Sequence, residues 1–294
     1  MTSLDGETIG FIGLGLMGRP MSLNLKKAGA RLIVHNRSRP VVDEMAAEGM
    51  IVADTPGAVA AQAKTIIVMV SDTPAAQAVI GGPDGILGAV GPDSLIIDMG
   101  TTAVSATRRL AAAVAEAGGQ YVDAPVSGGA VGAADGTLTI MAGGSENSIK
   151  RATPLFDVLG GRLTHIGGVG TGQIAKAANQ VIVGLVIGAV AEALTLARRA
   201  GADPAKVRQA LKGGFADSRI LELHGQRMVS GDFRPGGKAT TQRKDMAQAL
   251  DLAAELGLEM PATRLNKGLY DRLIDDGFGD EDHSALIKVL DRDS

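Results

Sequence analysis

Cysteine is absent from the 294 residues, which excludes disulfides, zinc–thiolate centres and thiol nucleophiles together and is compatible with a reducing cytosol. No run of Lys or Arg exceeds two residues, and the formal net charge is −3. Neither a nucleic-acid partner nor an anionic membrane surface is expected from that balance. Met1-Thr2-Ser3-Leu4-Asp5-Gly6-Glu7 lacks a basic segment and an adequate apolar core, so no secretory signal is expected and the chain reads as cytoplasmic. Proline is missing from Thr171 to Asp203, and acid is missing between His35 and Asp43. What remains, 45% hydrophobic and 21% charged, is an ordinary globular composition, long enough for two domains or one large one.

Thr8-Ile9-Gly10-Phe11-Ile12 is a short β-prone run that ends in Gly13-Leu14-Gly15-Leu16-Met17-Gly18. An amphipathic helix follows to about Ala28, closed by Gly29, and Arg31–His35 reads as a second strand. A bare GxGxxG is weak evidence. Strand, glycine turn, helix and strand in this order is what a dinucleotide-binding unit requires. Gly13 permits the tight turn, Gly15 lets a pyrophosphate approach the backbone, and Gly18 lets helix and strand pack closely. The helix start, with Leu16 and Met17, then offers N–H groups to the phosphates.

Cofactor choice is set at the end of the second strand, where an NAD site usually places Asp or Glu. Here the chain reads His35-Asn36-Arg37-Ser38-Arg39. Arg37, with Asn36 and Ser38, can hold a 2′-phosphate by charge-assisted hydrogen bonds, so NADP is expected in preference to NAD, which stays possible. The competing reading is a solvated basic turn.

Strands and helices then alternate: helix Pro56–Ala63, strand Thr65–Val70, a helix from Pro74, strand Leu95–Met99, helix Ser105–Ala117 and strand Tyr121–Ala124. The pattern predicts a doubly wound parallel sheet of the Rossmann type. Ligands in such sheets lie beyond the carboxyl ends of the strands, which brings Val70 and Ser71, and then Thr101, to the cofactor edge. Thr101 and Thr102 can equally cap the helix that follows. Pro125-Val126-Ser127-Gly128-Gly129 exposes backbone N–H groups and a hydroxyl, a cradle for a small carboxylate or a plain turn. A strand from Leu138, helix Glu146–Leu159 and strand Leu163–Ile166 complete an α/β domain at residues 1–167. Residues 168–294 read as all-helical, with Lys206–Leu211, Ser218–Met228, Asp245–Leu256 and Pro261–Asp275 the clearest helices. No metal site is read from the sequence.

Between these parts runs Gly170-Thr171-Gly172-Gln173-Ile174-Ala175-Lys176-Ala177-Ala178-Asn179-Gln180. Without proline, and with Gly201 as a stop, one helix is predicted from here to about Ala200. Val181–Ala191 is apolar or glycine throughout, so this helix is expected to be buried on all sides. Gly184 and Gly188 suit a close helix–helix approach. Gln180 and Glu192 bracket a run shorter than the about 20 residues of a membrane span. Lys176 and Asn179, three apart, share one face of the first turns. A lysine fits poorly at the positive end of a helix dipole. It either reaches solvent over its packed stem, meets a carboxylate, or takes part in chemistry.

Taken together, Gly10-Phe11-Ile12-Gly13-Leu14-Gly15-Leu16-Met17-Gly18 with Met21 and Asn24, Asp123-Ala124-Pro125-Val126-Ser127-Gly128-Gly129, Gly172 with Lys176 and Asn179, and Lys244-Asp245 resemble the β-hydroxyacid dehydrogenase family. That family takes in 3-hydroxyisobutyrate dehydrogenases, tartronate semialdehyde reductases and glyoxylate/succinic semialdehyde reductases. The likeness covers nearly the whole chain. Asn179-Gln180-Val181-Ile182-Val183 and Asp282-His283-Ser284-Ala285-Leu286 are most similar to the tartronate semialdehyde reductases.

The resemblance implies that Lys176 is the general acid/base, that Ser127, Gly128, Gly129 and Asn179 bind a small carboxylate-bearing substrate, and that Lys244 lines the cofactor and substrate cleft. It also implies a long helix that joins the domains, buried against a second subunit in a homodimer or homotetramer. Three departures stand out: Gly100 where the family usually has Ser, the small and polar approach Gly236–Arg243 to Lys244, and Arg219 where a neutral residue is common. Arg219 or Arg243 is expected to meet a second anionic group of the substrate, or else to form a surface salt bridge. Alternative readings are an imine reductase, a sugar-acid oxidative decarboxylase such as the related 6-phosphogluconate dehydrogenases, and a catalytically silent NADP-binding scaffold.

Overall fold

In the computed structural model, which describes residues 3–291, the chain divides into two units between Lys176 and Ala177. The first unit begins β1 (Thr8–Ile12), α1 (Gly18–Lys27), β2 (Arg31–His35), α2 (Arg39–Ala47), β3 (Ile51–Val52), α3 (Pro56–Ala60) and β4 (Thr65–Val68). It continues through α4 (Thr73–Gly81), β5 (Leu95–Asp98), α5 (Val104–Glu116) and β6 (Gln120–Asp123). After these come β7 (Val126–Ser127), α6 (Gly129–Asp135), β8 (Leu138–Gly143), α7 (Glu146–Leu159) and β9 (Gly160–Gly167).

Among the described residues these nine strands form one sheet, with β3-β2-β1-β4-β5-β6 parallel throughout. This is the 3-2-1-4-5-6 order of a doubly wound nucleotide fold. Successive residues of the central strands face opposite layers, as the pleat demands. Ile67 and Ile97 join Phe11, Met21 and Phe156 on one face, while Ile66 and Ile96 join Ile33, Val59 and Val114 on the other. Both faces are covered, which explains why β4 and β5 read as unbroken apolar runs.

The sheet departs from the expected all-parallel form at β8, which runs antiparallel to β6 and β7, with β9 parallel to β8. The stretch 128–137 between β7 and β8 is shorter than the dozen or so residues that a parallel crossover needs, so the chain turns back. α2, β3, β7 and α6 were not expected from the sequence; each is short or lies in a turn-rich stretch.

The long helix α8 (Thr171–Arg199) opens in the first unit and runs on into the second. Its end agrees with the sequence: Gly201 adopts φ +85° and its N–H bonds to the Arg198 carbonyl. The second unit adds α9 (Pro204–Leu211), α10 (Arg219–Ser230), α11 (Ala239–Glu255), α12 (Pro261–Leu273) and α13 (Ile287–Leu290). Its core gathers Ile187, Leu194, Leu221, Met228, Met246, Tyr270 and Leu286.

Gly184 and Gly188 let α11 and α12 pack closely on α8. A Cβ on Gly184 would lie 2.6 Å from Met246 Sδ, and one on Gly188 would lie 2.4 Å from Asn266 Oδ1. The expectation that α8 is buried on all sides is corrected: Ile182 is 61% and Leu196 71% exposed within the chain. The helices of one chain cover only its inner side. By length and composition α8 is the one helix among the described residues apolar enough to cross a membrane. Its inner side, however, is keyed to protein by the Gln180 and Asn266 hydrogen bonds.

Candidate active site

The loops that leave the carboxyl ends of β1, β2, β4 and β5 converge at one edge of the sheet, because Ile12 is in register with both His35 and Val68, and Val68 with Asp98. Gly13 turns with φ +99°, where a Cβ would fall 2.2 Å from the Met69 carbonyl oxygen. A Cβ on Gly18 would fall 1.9 Å from the Gly13 carbonyl oxygen and 3.1 Å from the Phe11 ring, so only glycine lets α1 start so close to β1. At Gly15 a Cβ would meet no heavy atom of the protein within 4 Å. The turn is therefore free of side-chain bulk on that side, and α1 has neither an acidic residue in its first turn nor a side-chain cap. These features suit a pyrophosphate at the helix start. Leu16 and Met17 complete the turn, Leu16 exposed and Met17 half-buried.

Asn36 has a definite structural task. Its Oδ1 accepts from Leu14 N at 2.9 Å and its Nδ2 donates to the Ser38 carbonyl at 3.1 Å, which locks the glycine turn to the end of β2. Arg37 and Ser38 are exposed beside it. The neighbouring Arg39 is engaged by Asp43 and Asp54. Val70 is half-buried and Ser71 exposed, with Ser71 Oγ donating to Asp72, the residue that caps α4. Thr101 is half-buried. Neither Thr101 nor Thr102 caps α5, whose N-cap is Ala103. Thr102 instead turns inward and donates to Asp98 Oδ2 at 2.7 Å.

That inward turn belongs to a buried polar network which holds the start of α8 against the sheet. Asp123, at the end of β6, accepts from Gly170 N at 2.7 Å and Gln173 N at 2.9 Å. Gln173 donates to the Gly100 carbonyl at 2.9 Å and accepts from Thr102 N at 3.1 Å. Asp98 also accepts from Gly100 N and Tyr121 Oη. Burial pushes the Asp123 carboxyl up to about 6, with the Asp98 carboxylate adding to it and the Gly170 and Gln173 N–H groups opposing. Burial, first, and Asp98, second, push the Tyr121 phenol well above its ordinary range. The close approach depends on glycine: a Cβ on Gly172 would lie 2.5 Å from the Met141 carbonyl oxygen and 2.6 Å from that of Asp123.

Two turns of helix are thereby fixed, and Lys176 sits on the second. It is 7% exposed, and its ammonium donates to the Val126 carbonyl at 2.7 Å. The reading in which its charge reaches bulk solvent is not what the chain adopts. Val126 leads into Ser127, Gly128 (φ +139°) and Gly129 (φ +63°), where the two positive φ values require glycine. Ser127 and Gly129 are half-buried and Gly128 exposed. Asn24 on α1 donates to the Ala133 and Ala134 carbonyls, which ties down the far end of α6.

The remaining predicted residues lie in the second unit. Asn179 donates to Gln180 Oε1 at 2.8 Å, Gln180 Nε2 donates to Asp245 Oδ2 at 2.6 Å, and Lys244 Nζ lies 3.0 Å from Asp245 Oδ1. Asn179 and Lys244 are thus joined through a buried Gln180–Asp245 pair, braced by Gln242. Arg243 is held by Asp271 at 2.6 Å, while Arg219 is exposed at the start of α10. Sequence reasoning gave no role to Gln173 or Asp98, and placed Gln180 in a motif without assigning it a partner. Gln173 carried a signal, its place directly after Gly172; Asp98 ends an ordinary apolar strand and carried none.

Two family descriptions match: the NAD binding domain of 6-phosphogluconate dehydrogenase over residues 8–167, and the NAD-binding domain of NADP-dependent 3-hydroxyisobutyrate dehydrogenase over residues 170–290. The chain is 46% identical to 2-hydroxy-3-oxopropionate reductase of Escherichia coli K12 over 96% of its own length and 97% of that protein. It is 33% identical to glyoxylate/succinic semialdehyde reductase 1 of Arabidopsis thaliana, over 96% and 98% respectively. The structure of Mycobacterium tuberculosis 3-hydroxyisobutyrate dehydrogenase with L-serine superposes with a TM-score of 0.89 at 30% identity, covering 97% of this chain and 99% of that one.

Fold and site together define an NAD(P)-dependent oxidoreductase with a Rossmann-type domain followed by a helical one. The chain belongs to the β-hydroxyacid dehydrogenase family, the class of hydroxyacid dehydrogenases and semialdehyde reductases.

Proposed function

We propose that the protein interconverts a short β-hydroxyacid and its semialdehyde, of the 2-hydroxy-3-oxopropionate type, with NADP(H) preferred over NAD(H). The observation that carries this reading is Lys176, buried at the fixed start of α8 with its ammonium on the Val126 carbonyl beside Ser127-Gly128-Gly129. When bound, the nicotinamide supplies or takes the hydride. Lys176 gives a proton to the carbonyl oxygen in reduction and removes it from the hydroxyl in oxidation. As an ammonium it also stabilises the charge that develops on that oxygen. Ser127, Gly128, Gly129 and Asn179 hold the substrate carboxylate, and Lys244 lines the cleft.

Gly13, Gly15, Leu16, Met17 and Gly18 receive the pyrophosphate; Arg37 and Ser38 take the 2′-phosphate on the turn that Asn36 braces; Val70, Ser71 and Thr101 border the cofactor. Residues 1–167 serve the cofactor and 168–294 the substrate and subunit contacts. The exposed Ile182 and Leu196 on α8 support a homodimer or homotetramer, and the composition supports a cytoplasmic enzyme.

The test is oxidation of NADPH and NADH against glyoxylate, tartronate semialdehyde, succinic semialdehyde, methylmalonate semialdehyde and a cyclic imine, with wild type and Lys176→Ala. Turnover of one semialdehyde with NADPH, reduced by about 10²–10⁴-fold in the variant, is expected. Turnover of the imine alone, or turnover indifferent to Lys176, would overturn the proposal.

A further inference from the structure

The second unit holds a cluster that the reaction does not use. His224 on α10 and His283, which follows the turn after α12, bring their Nε2 atoms to 3.3 Å, with ring centroids 4.4 Å apart and planes at 88°. The opposite nitrogen of His224, Nδ1, faces Asp282 Oδ1 at 3.4 Å. Asp282 is fully buried and committed elsewhere: Oδ1 accepts from Ser284 N and Oγ, and Oδ2 accepts from Gly236 N and Gly237 N and faces Arg227 at 3.4 Å.

With Nδ1 turned toward the Asp282 carboxylate, His224 presents its Nε2 to the Nε2 of His283. The Nε2···Nε2 contact of 3.3 Å is a long imidazole–imidazole hydrogen bond. The separation also agrees with two imidazole nitrogens about 2.0–2.1 Å from one tetrahedral zinc, which stand about 3.3–3.4 Å apart. The Asp282 carboxylate stands 3.4 Å behind the first imidazole, a near contact rather than a hydrogen bond, on the side where metal-binding histidines usually have their orienting partner. The second imidazole is fixed from its backbone: His283 N donates to the Gly237 carbonyl at 2.8 Å, Tyr270 Oη donates to the His283 carbonyl at 3.3 Å, and the ring packs over Gly237. His224 keeps 19% of its side-chain surface exposed, which gives a cation a way in.

We propose that His224 Nε2 and His283 Nε2 form a binding site for a borderline divalent transition cation of the zinc class, with Asp282 orienting His224 from behind and the other coordination positions taken by water. Imidazole suits Zn²⁺, Ni²⁺ and Cu²⁺ but not Mg²⁺ or Ca²⁺. Occupancy staples α10 to the 279–286 segment and, through the Asp282 carboxylate and the His283 backbone N–H, to Gly236 and Gly237. The site is structural, and its existence does not rest on the proposed reaction.

The test is calorimetric titration of the full chain, stripped with a chelator and dialysed, with zinc chloride and, as a control, magnesium chloride. One equivalent of zinc per chain and no magnesium binding are expected. Binding should weaken at acid pH, because protons compete with a metal for imidazole nitrogens. His224→Gln and His283→Gln should each weaken binding by about 100-fold or more, since even outer partners of a metal site cost about 10–100-fold. The zinc-dependent rise in Tm should vanish with it. No heat in the wild type, or affinity unchanged in both variants, would overturn the site. The wild-type titrations decide the matter even if a variant fails to fold.

Discussion

The ammonium of Lys176 and the carbonyl oxygen of Val126 are 2.7 Å apart, although the lysine stands in the first turns of a helix whose dipole repels a cation there. The conflict is eased by Asp123, whose carboxylate accepts the N–H groups of Gly170 and Gln173 and places an anion at the same helix end. The lysine is thereby kept at the edge of the Ser127-Gly128-Gly129 turn, where the proposed reaction uses it.

Asp123 should leave a signature in the pH dependence of stability. Its folded pKa, about 6, lies above the ordinary 3.8. The native state therefore binds the extra proton between these values, and the group's contribution is greatest below the lower one and is lost as pH rises through the upper. The difference corresponds to about 3 kcal/mol. Measured by denaturant unfolding, wild-type stability relative to Asp123→Asn should fall by up to about 3 kcal/mol from about pH 4 to about pH 7. A constant difference across that range would mean that burial does not govern this carboxyl.

Two glycines should respond to alanine in opposite ways. Gly172→Ala puts a Cβ 2.5 Å from the Met141 carbonyl oxygen, so α8 must shift, at a cost of about 1–3 kcal/mol. Tm should drop and kcat with it. Gly15→Ala meets no protein atom within 4 Å and should change stability by less than about 0.5 kcal/mol. It should weaken cofactor binding, read by quenching of NADPH fluorescence.

Arg37→Ala removes the exposed guanidinium from the turn that Asn36 braces. If Arg37 bonds a 2′-phosphate, the loss is about 1.5–3 kcal/mol, or about 10- to 150-fold in kcat/KM with NADPH. The NADH value should hardly move. Equal losses with both cofactors would assign Arg37 to the solvated turn instead.

Arg243 is already occupied by Asp271 at 2.6 Å, which favours the salt-bridge reading over a substrate contact. Arg243→Ala should cost about 1 kcal/mol or less in stability, because the pair is partly exposed. It should discriminate no dicarboxylic from monocarboxylic semialdehyde. Selective loss on the dicarboxylic substrate would return Arg243 to the site.

Local chemistry made the first half of this molecule legible. β1, the glycine turn, α1 and β2 follow from residue types within one short window, and α8 spans Thr171–Arg199 because glycine, not proline, bounds it at both ends. The motifs also carried the family. Contacts between distant residues were a different matter. Gln173 finds Gly100 and Thr102 across more than 70 residues, and His224 meets His283 across 59. No periodicity announces such pairs; they exist only once register and helix packing bring the segments together. The direction of β8 and the half-open side of α8 were decided in the same way, by the length of one connection and by how much of a helix a single chain can cover. Sequence alone determined most of the longer elements, the cofactor turn and the place of the lysine; tertiary packing decided the short elements and what holds that lysine, because burial and close approach are properties of surfaces that the chain must fold to create.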